Sequence, residues 1–297
     1  MGETYHIVTY PARIADWQAY DVAALMDKHL RQRLRRVASR QNPLVRDLRR
    51  SFARGETATD GSCALEGVRL VEEAIRSGLR FRAVFFRQSA LALADRLLPQ
   101  IAAQVETVLL PNEIFDSAVA TETPQGVAAL AKVKSFTLDD VLRPYQPLVV
   151  ALSGIQDPGN LGTILRSAEA FGASGVLLGE GTVSQFNSKA VRASAGSVFR
   201  VPTLAVKLEE AILRLRQAGL RLLATSSHGG TPADQVNLAS ALALFIGNEG
   251  SGLPRELMSQ MDETVVVPHP GQVESLNAAV AASVLLYEAA RQRRAGI

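Results

Sequence analysis

Apolar positions recur along this chain at two periods, and the alternation between them is the first structural signal. From Val22 to about Arg54 apolar residues (Leu25, Leu30, Leu34, Val37) return every three to five positions, which predicts helix. The run is broken at Asn42-Pro43, where proline suits a helix start, so two basic helices separated by SRQNP are expected. GETATDGS is rich in turn formers. After it, CALEGVRLVEEAIRSG predicts a short strand and a helix closed by Gly78, FRAVFFR (Phe81 to Arg87) a strand, and Leu91 to Gln104 a helix. VETVLLP, PNEIFDSAVA and GVAALAKV then supply strand, helix and strand.

The double-proline segment LRPYQP predicts a linker. Beyond it, PLVVALSGI is a continuous apolar run of the kind buried on both faces. Leu161 to Phe171 predicts a helix, ASGVLLG a strand, Ser188 to Ser197 a helix and Leu208 to Ala218 another. LRLLATSS, LALFIGNEG and TVVVP predict strands, and a long helix runs from about Leu276 to Arg293. Strands alternating with helices imply an α/β fold. The C-terminal part is expected to be a mostly parallel sheet with helices on both faces, preceded by a smaller α/β domain. The boundaries expected are 1–37 for an N-terminal extension and basic helix, 38–143 for the first α/β unit, and 147–297 for the second.

Composition narrows the classes. At 297 residues, 47% apolar and 21% charged, the chain is that of a globular protein with room for two cores. The apolar stretch Ala278 to Ala290 is interrupted by Glu288 and is too short to cross a bilayer, which needs about 20 residues. No secretory pattern opens the sequence, and the single Cys63 cannot form an internal disulfide, so a cytoplasmic location is the default expectation. The four histidines are scattered, so no metal site is expected; His228 and His269 adjoin loops at strand ends.

Net charge is +3, but its distribution is uneven. Between Lys28 and Arg54 ten basic residues face one acid, Asp47, leaving the rest of the chain acidic. Such a segment suits a polyanion, with RNA, DNA or an acidic membrane surface as candidates; a solvated arginine-rich helix is the plainer alternative.

No P-loop, HExxH, CxxC or GxSxG pattern is present. The positive signals are three glycine-containing loops after strands: SGIQDPGNLG (Ser153 to Gly162), IGNEGSGLP (Ile246 to Pro254) and VPHPGQVESLN (Val267 to Asn277). Ligands of open α/β sheets bind beyond the carboxyl ends of strands, so the three loops are expected to meet in one crevice.

Taken together, the three loops resemble the signature motifs of the SpoU (TrmH-like) RNA ribose 2′-O-methyltransferases. PGNLGTILRSAEAFGASGVLL is similar to the first motif, LFIGNEGSGLP to the second, and VPHPGQVESLNAAVAASVLLYEA to the third. Upstream, SRQNPLVRDLRR followed by LEGVRLVEEAI is similar to the N-terminal substrate-binding domain of many members, itself related to ribosomal RNA-binding proteins. The resemblance covers about residues 38–297.

It implies a trefoil-knotted (SPOUT-type) C-terminal domain, although chain-topology rules in general disfavour knots. It also implies S-adenosylmethionine as cofactor and a homodimer formed through that domain. Carried over residue by residue, it implies catalytic roles for Asn160, Arg166, Glu249, Ser275 and Asn277. Thr225, Ser226, Ile246, Gly247, Val267 and Leu276 are the cofactor-binding candidates. Ser275 and Asn277 also open a helix, where small polar side chains cap free N–H groups, so both roles stay open for them. RNA contacts are expected from Arg40, Asn42, Arg46, Lys189 and Arg192. Ribosomal RNA is favoured over tRNA because of the added N-terminal domain. A tRNA ribose methyltransferase and a non-catalytic RNA-binding or ribosome-assembly protein are the alternatives.

Overall fold

The computed structural model describes residues 31–269 and 273–296. Most of the helix predicted from Val22 therefore lies outside the described residues. Inside them, only Arg31 and Gln32 are helical, and the chain then turns into a strand. Leu34–Arg36 is a strand, β1, paired in parallel with Thr107–Leu109. The spacing of Leu34 and Val37 fits a helix turn equally well, and tertiary pairing decides against it: Leu34 packs on the first core while the Arg33 guanidinium donates to the carbonyls of Leu98, Ile101 and Ala102.

The first unit is a five-stranded mixed sheet in the order β1-β4-β3-β5-β2, with β2 at Ser62–Glu66, β3 at Arg80–Arg87, β4 at Glu106–Leu110 and β5 at Val127–Lys132. Helix α1 (Pro43–Arg54) is capped by Asn42, whose side chain accepts from Leu44 N at 3.0 Å, and proline occupies its first turn. Helix α2 spans Val68–Arg76, α3 Leu91–Leu97 and α4 Asn112–Asp116. Cys63 is fully buried in β2, and burial pushes its thiol up to about 12.

The proline-containing connection leaves Tyr145 almost wholly exposed. The short helix before it, α5 (Leu138–Leu142), carries a capping box between Thr137 and Asp140 and buries Val141 with Val149 and Leu177 of the second unit.

That unit is a seven-stranded sheet, every neighbouring pair parallel, in the order β10-β12-β9-β11-β6-β7-β8. β6 (Leu148–Leu152) and β11 (Leu242–Ile246) are central and buried at every position, as their unbroken apolar runs require. β7 is Gly175–Leu178, β8 Thr203–Ala205, β9 Arg221–Ser226, β10 Thr231–Pro232 and β12 Glu263–Val266. The helices are α6 (Pro158–Ala170), α7 (Ser188–Ala193), α8 (Leu208–Gln217), α9 (Arg255–Met258) and α10 (Ala278–Ala295). The helix expected to reach Ser197 stops at Ala193, because Ala195 takes a left-handed φ of 49°. β10 and α9 are too short to leave a periodic signature.

The units are joined through one core and one ionic clamp. Arg200 donates to the Glu73 carboxylate and, at 2.8 Å, to Ser77 Oγ in the first unit, and to Glu169 of α6 at 3.0 Å in the second. Hydrogen bonding from Arg200 is the leading influence that holds the Glu169 carboxyl below the usual range. Among the described residues no helix is long and apolar enough to cross a membrane, and no cluster of His, Cys, Asp or Glu could hold a metal ion.

Because the Cys63 thiol is buried and held protonated, a thiol reagent at pH 8 is expected to leave the native protein unmodified and to label it stoichiometrically in denaturant. Rapid labelling of the folded protein would contradict this packing.

Candidate active site

The three loops meet beyond the carboxyl ends of β6, β9, β11 and β12, and one carboxylate ties them together. Glu249 Oε1 accepts from Asn160 Nδ2 at 2.6 Å, from Asn277 Nδ2 at 2.8 Å and from Ala278 N at 3.3 Å. Asn277 Nδ2 also donates to Asn160 Oδ1 at 3.1 Å. Each loop therefore contributes one member to a closed set of hydrogen bonds. The carboxylate also faces the N-terminus of α10, whose free N–H groups and dipole favour negative charge.

Asn277 serves as a helix cap and also joins the loops. Its Oδ1 caps α10, accepting from Ala279 N and Val280 N, while its amide nitrogen reaches across to the other two loops. The helix accordingly begins at Ala278, two residues later than the sequence suggests. Ser275 lies exposed on the approach to that cap.

Asp157 organises the first loop and carries a role that sequence reasoning missed. It caps α6, accepting from Gly159 N at 2.6 Å and Asn160 N at 3.0 Å, with Pro158 in the first turn. The Asp-Pro pair is a helix-start signal, and α6 begins three residues before the Leu161 expected. Lys189 Nζ reaches the same carboxylate at 3.1 Å. That bond, then the one from Asn160 N, holds Asp157 below the ordinary carboxylate range. Asn248, also missed, joins loops one and two: its Nδ2 donates to Gly154 O at 2.8 Å and its Oδ1 accepts from Gly250 N.

Beside this node lies a cavity of about 350 Å³. All six cofactor candidates, Thr225, Ser226, Ile246, Gly247, Val267 and Leu276, line it, as do Glu249 and Ser275. Gly247 is indispensable to its shape, because a Cβ there would fall 2.2 Å from Gly252 C and 2.4 Å from Leu253 N. The loop from Gly247 to Leu253 closes on itself through paired backbone hydrogen bonds between Asn248 and Gly252. His269 also lines the cavity, and its Nδ1 is buried without a hydrogen-bond partner among the described residues. Its position after strand β12 is the sequence signal that pointed there.

Arg166 stands apart. Six residues after Asn160 on α6, it is displaced by about 9 Å along the axis and roughly 120° around it. Its side chain is exposed and makes no hydrogen bond or ion pair among the described residues. Of the RNA-contact candidates, Lys189 lies next to the node through Asp157, and Arg192 is exposed on the same short helix. Arg40 and Arg46 are exposed on the first unit, where Asn42 caps α1.

Comparison with known proteins identifies the architecture. Residues 147–287 match the SpoU rRNA methylase family, and residues 42–129 match the MRM3-like substrate-binding domain. A 23S rRNA (guanosine(2553)-2′-O)-methyltransferase, RlmP of Bacillus subtilis, is 31% identical over 86% of this chain and 98% of its own length. The chain belongs to the SpoU family of RNA methyltransferases. An uncharacterised tRNA/rRNA methyltransferase of Synechocystis is 34% identical over 86% of this chain and 94% of its own. Among solved structures, the SpoU methyltransferase AviRb of Streptomyces viridochromogenes with AdoMet superposes with a TM-score of 0.75 at 28% identity, covering 86% of this chain and all of that one. An AdoMet-bound rRNA methyltransferase of Sinorhizobium meliloti gives 0.72 at 29% identity, covering 87% and 98%.

This SpoU protein is thus an S-adenosylmethionine-dependent RNA methyltransferase, and its cavity suits that cofactor. The walls combine apolar strand ends with backbone groups, the glycine at 247 admits close approach, and His269 Nδ1 offers an unpaired polar atom.

Glu249→Ala leaves two amides without their shared acceptor and is expected to weaken S-adenosylmethionine binding about tenfold, the equivalent of one charge-assisted hydrogen bond. Glu249→Gln keeps an acceptor oxygen and should retain most of the affinity; calorimetric titration of both variants checks this. The depressed native pKa of Asp157 makes its stabilising contribution full above the unfolded carboxylate pKa and lost as pH falls through the lower native value. Acid unfolding of Asp157→Asn should accordingly show a shallower dependence on pH than wild type.

Proposed function

We propose that the protein methylates a ribose 2′-hydroxyl in large-subunit ribosomal RNA. The observation that carries this is the Asn160–Glu249–Asn277 node at the rim of the cofactor cavity, which combines all three loops of a family whose relative in Bacillus subtilis is named for that reaction. The substrate-binding unit at residues 42–129 and the basic segment ahead of it favour a large folded RNA over tRNA. A cytoplasmic setting follows from that substrate.

Bound in the cavity, S-adenosylmethionine supplies a methyl group on a positively charged sulfur. Glu249, Asn160 and Asn277 hold the three loops in one arrangement, so the cavity and the ribose approach are aligned before RNA binds. Transfer would form a bond from the ribose 2′-oxygen to the methyl carbon as the sulfur–methyl bond breaks, leaving S-adenosylhomocysteine and releasing the hydroxyl proton. Arg166 is too weak an acid to serve as base at neutral pH, since its guanidinium stays charged. With no carboxylate partner among the described residues, its guanidinium is available to bind the RNA phosphate beside the target ribose and stabilise developing negative charge on the 2′-oxygen. The phosphate it holds is placed to receive the proton.

A homodimer formed through α10 complements this assignment. Val280, Val284 and Tyr287 are exposed on that helix at spacings of four and three, one apolar face. Helix α6 packs beside it through the hydroxyls of Ser167 and Ser283, 2.7 Å apart, so pairing on this face brings the helix that carries Arg166 near a second copy.

Arg166→Ala is expected to lower the methyl-transfer rate at saturating RNA by about 100-fold or more, the cost of removing one charge-stabilising donor, with cofactor affinity unchanged. Single-turnover transfer from labelled S-adenosylmethionine to total rRNA reads this out. A rate within a few-fold of wild type would overturn the assignment.

A further inference from the structure

Resting on the proposed RNA methylation, we infer that α1 and α7 form one continuous phosphate-binding rail that leads an RNA strand from the substrate-binding unit to the methyl-transfer loops, with Arg50 and Arg54 as its unassigned central contacts. The basic residues around α1 divide into two groups. Several are occupied: Arg33 holds three backbone carbonyls, Arg35 pairs with Glu106, and Arg49 Nε donates to Ser117 O at 3.2 Å. The acid of α1, Asp47, is engaged by Arg82 at 2.8 Å. The second group is Arg36, Arg40, Arg46, Arg50 and Arg54, all exposed and without a side-chain hydrogen bond or ion pair among the described residues, and the last three, Arg46, Arg50 and Arg54, lie on α1.

Their spacing of four places them on one face of α1, each step advancing about 6 Å along the axis, while Val45, Leu48 and Ser51 face the core. Like charges at that spacing repel one another and weaken a helix. A row of phosphates relieves the repulsion, and the step is comparable to the advance of an RNA backbone by one nucleotide.

The end of this row abuts the second unit. Gly55, the left-handed cap of α1 with φ 62°, lies so close to Asn187 that a Cβ on it would be 3.1 Å from the Asn187 Cα. Asn187 caps α7, accepting from Lys189 N at 2.9 Å, and α7 exposes Lys189 and Arg192. Lys189 in turn reaches Asp157, whose other contacts fix the backbone of Asn160. Cations therefore follow one another from α1, across the junction, to the first loop of the active site. Glu56 is an exposed acid beside the junction.

The test is binding of folded total rRNA over a range of salt concentrations, comparing wild type, Arg50→Ala/Arg54→Ala, and the equal-charge control Arg80→Ala/Lys134→Ala, which removes two exposed cations at the start of β3 and just after β5, off α1 and α7. Losing two phosphate contacts is expected to reduce the slope of log affinity against log salt by about 1.4 and to raise the dissociation constant about tenfold at moderate salt. The control should leave both near wild type with an unchanged methyl-transfer rate, and S-adenosylmethionine affinity should be unchanged in both variants. Circular dichroism verifies that α1 persists. A slope and affinity equal to wild type, or a loss matched by the control pair, would overturn the rail while RNA methylation by the wild-type protein still stood. Absence of methyl transfer to RNA by the wild type would instead overturn the function on which the rail rests.

Discussion

Everything at the catalytic end depends on one carboxylate accepting from two amides and a helix N-terminus at once. Glu249 is contributed by the loop after β11, Asn160 by the helix after β6, and Asn277 by the start of α10. These segments are far apart in the chain and have little reason to converge except through the sheet that carries them. The parallel pairing of β6 with β11 and of β11 with β9 brings their carboxyl ends into line. The hydrogen bonds then convert a set of adjacent loops into one rigid rim. Because each bond is near solvent, none contributes much singly; their closure is what fixes geometry.

The same economy governs the junction between the units. Arg200 joins Glu73 and Ser77 of the first unit to Glu169 on α6, the helix that also presents Asn160 and Arg166. Asp157 does comparable service at the other end of α6, where cap, ion pair and loop meet in a single side chain. Arg200 thus ties the first unit to the C-terminal end of α6, and Asp157 ties the N-terminal end of α6 to α7 within the second unit.

Much of this was legible in the sequence, for identifiable reasons. Unbroken apolar runs such as LVVAL and LALFI can only be central parallel strands, so the second sheet was readable before its order was known. The loops were legible because glycine and asparagine at strand ends signal backbone in special conformations near a ligand. What was not legible depended on tertiary partners. Leu34–Arg36 has helical spacing yet pairs as an edge strand with β4. Asp157 reads as a common helix start, and only its contact with Lys189 shows that it joins two functional segments. The division of the basic run into occupied and free arginines requires knowing where Leu98, Ser117 and Glu106 lie.

The exposed arginines of α1 without partners among the described residues stand beside others already held by carboxylates and carbonyls, such as Arg33, Arg35 and Arg49. The central claim, that the aligned loops deliver a methyl group to a ribose hydroxyl of ribosomal RNA, is tested most directly by mapping the labelled methyl group after incubation with total rRNA and, in parallel, total tRNA. Label is expected at a ribose 2′-oxygen of large-subunit rRNA, recognised as a phosphodiester resistant to alkali at that nucleotide. Label on a nucleobase, or on tRNA alone, would contradict it.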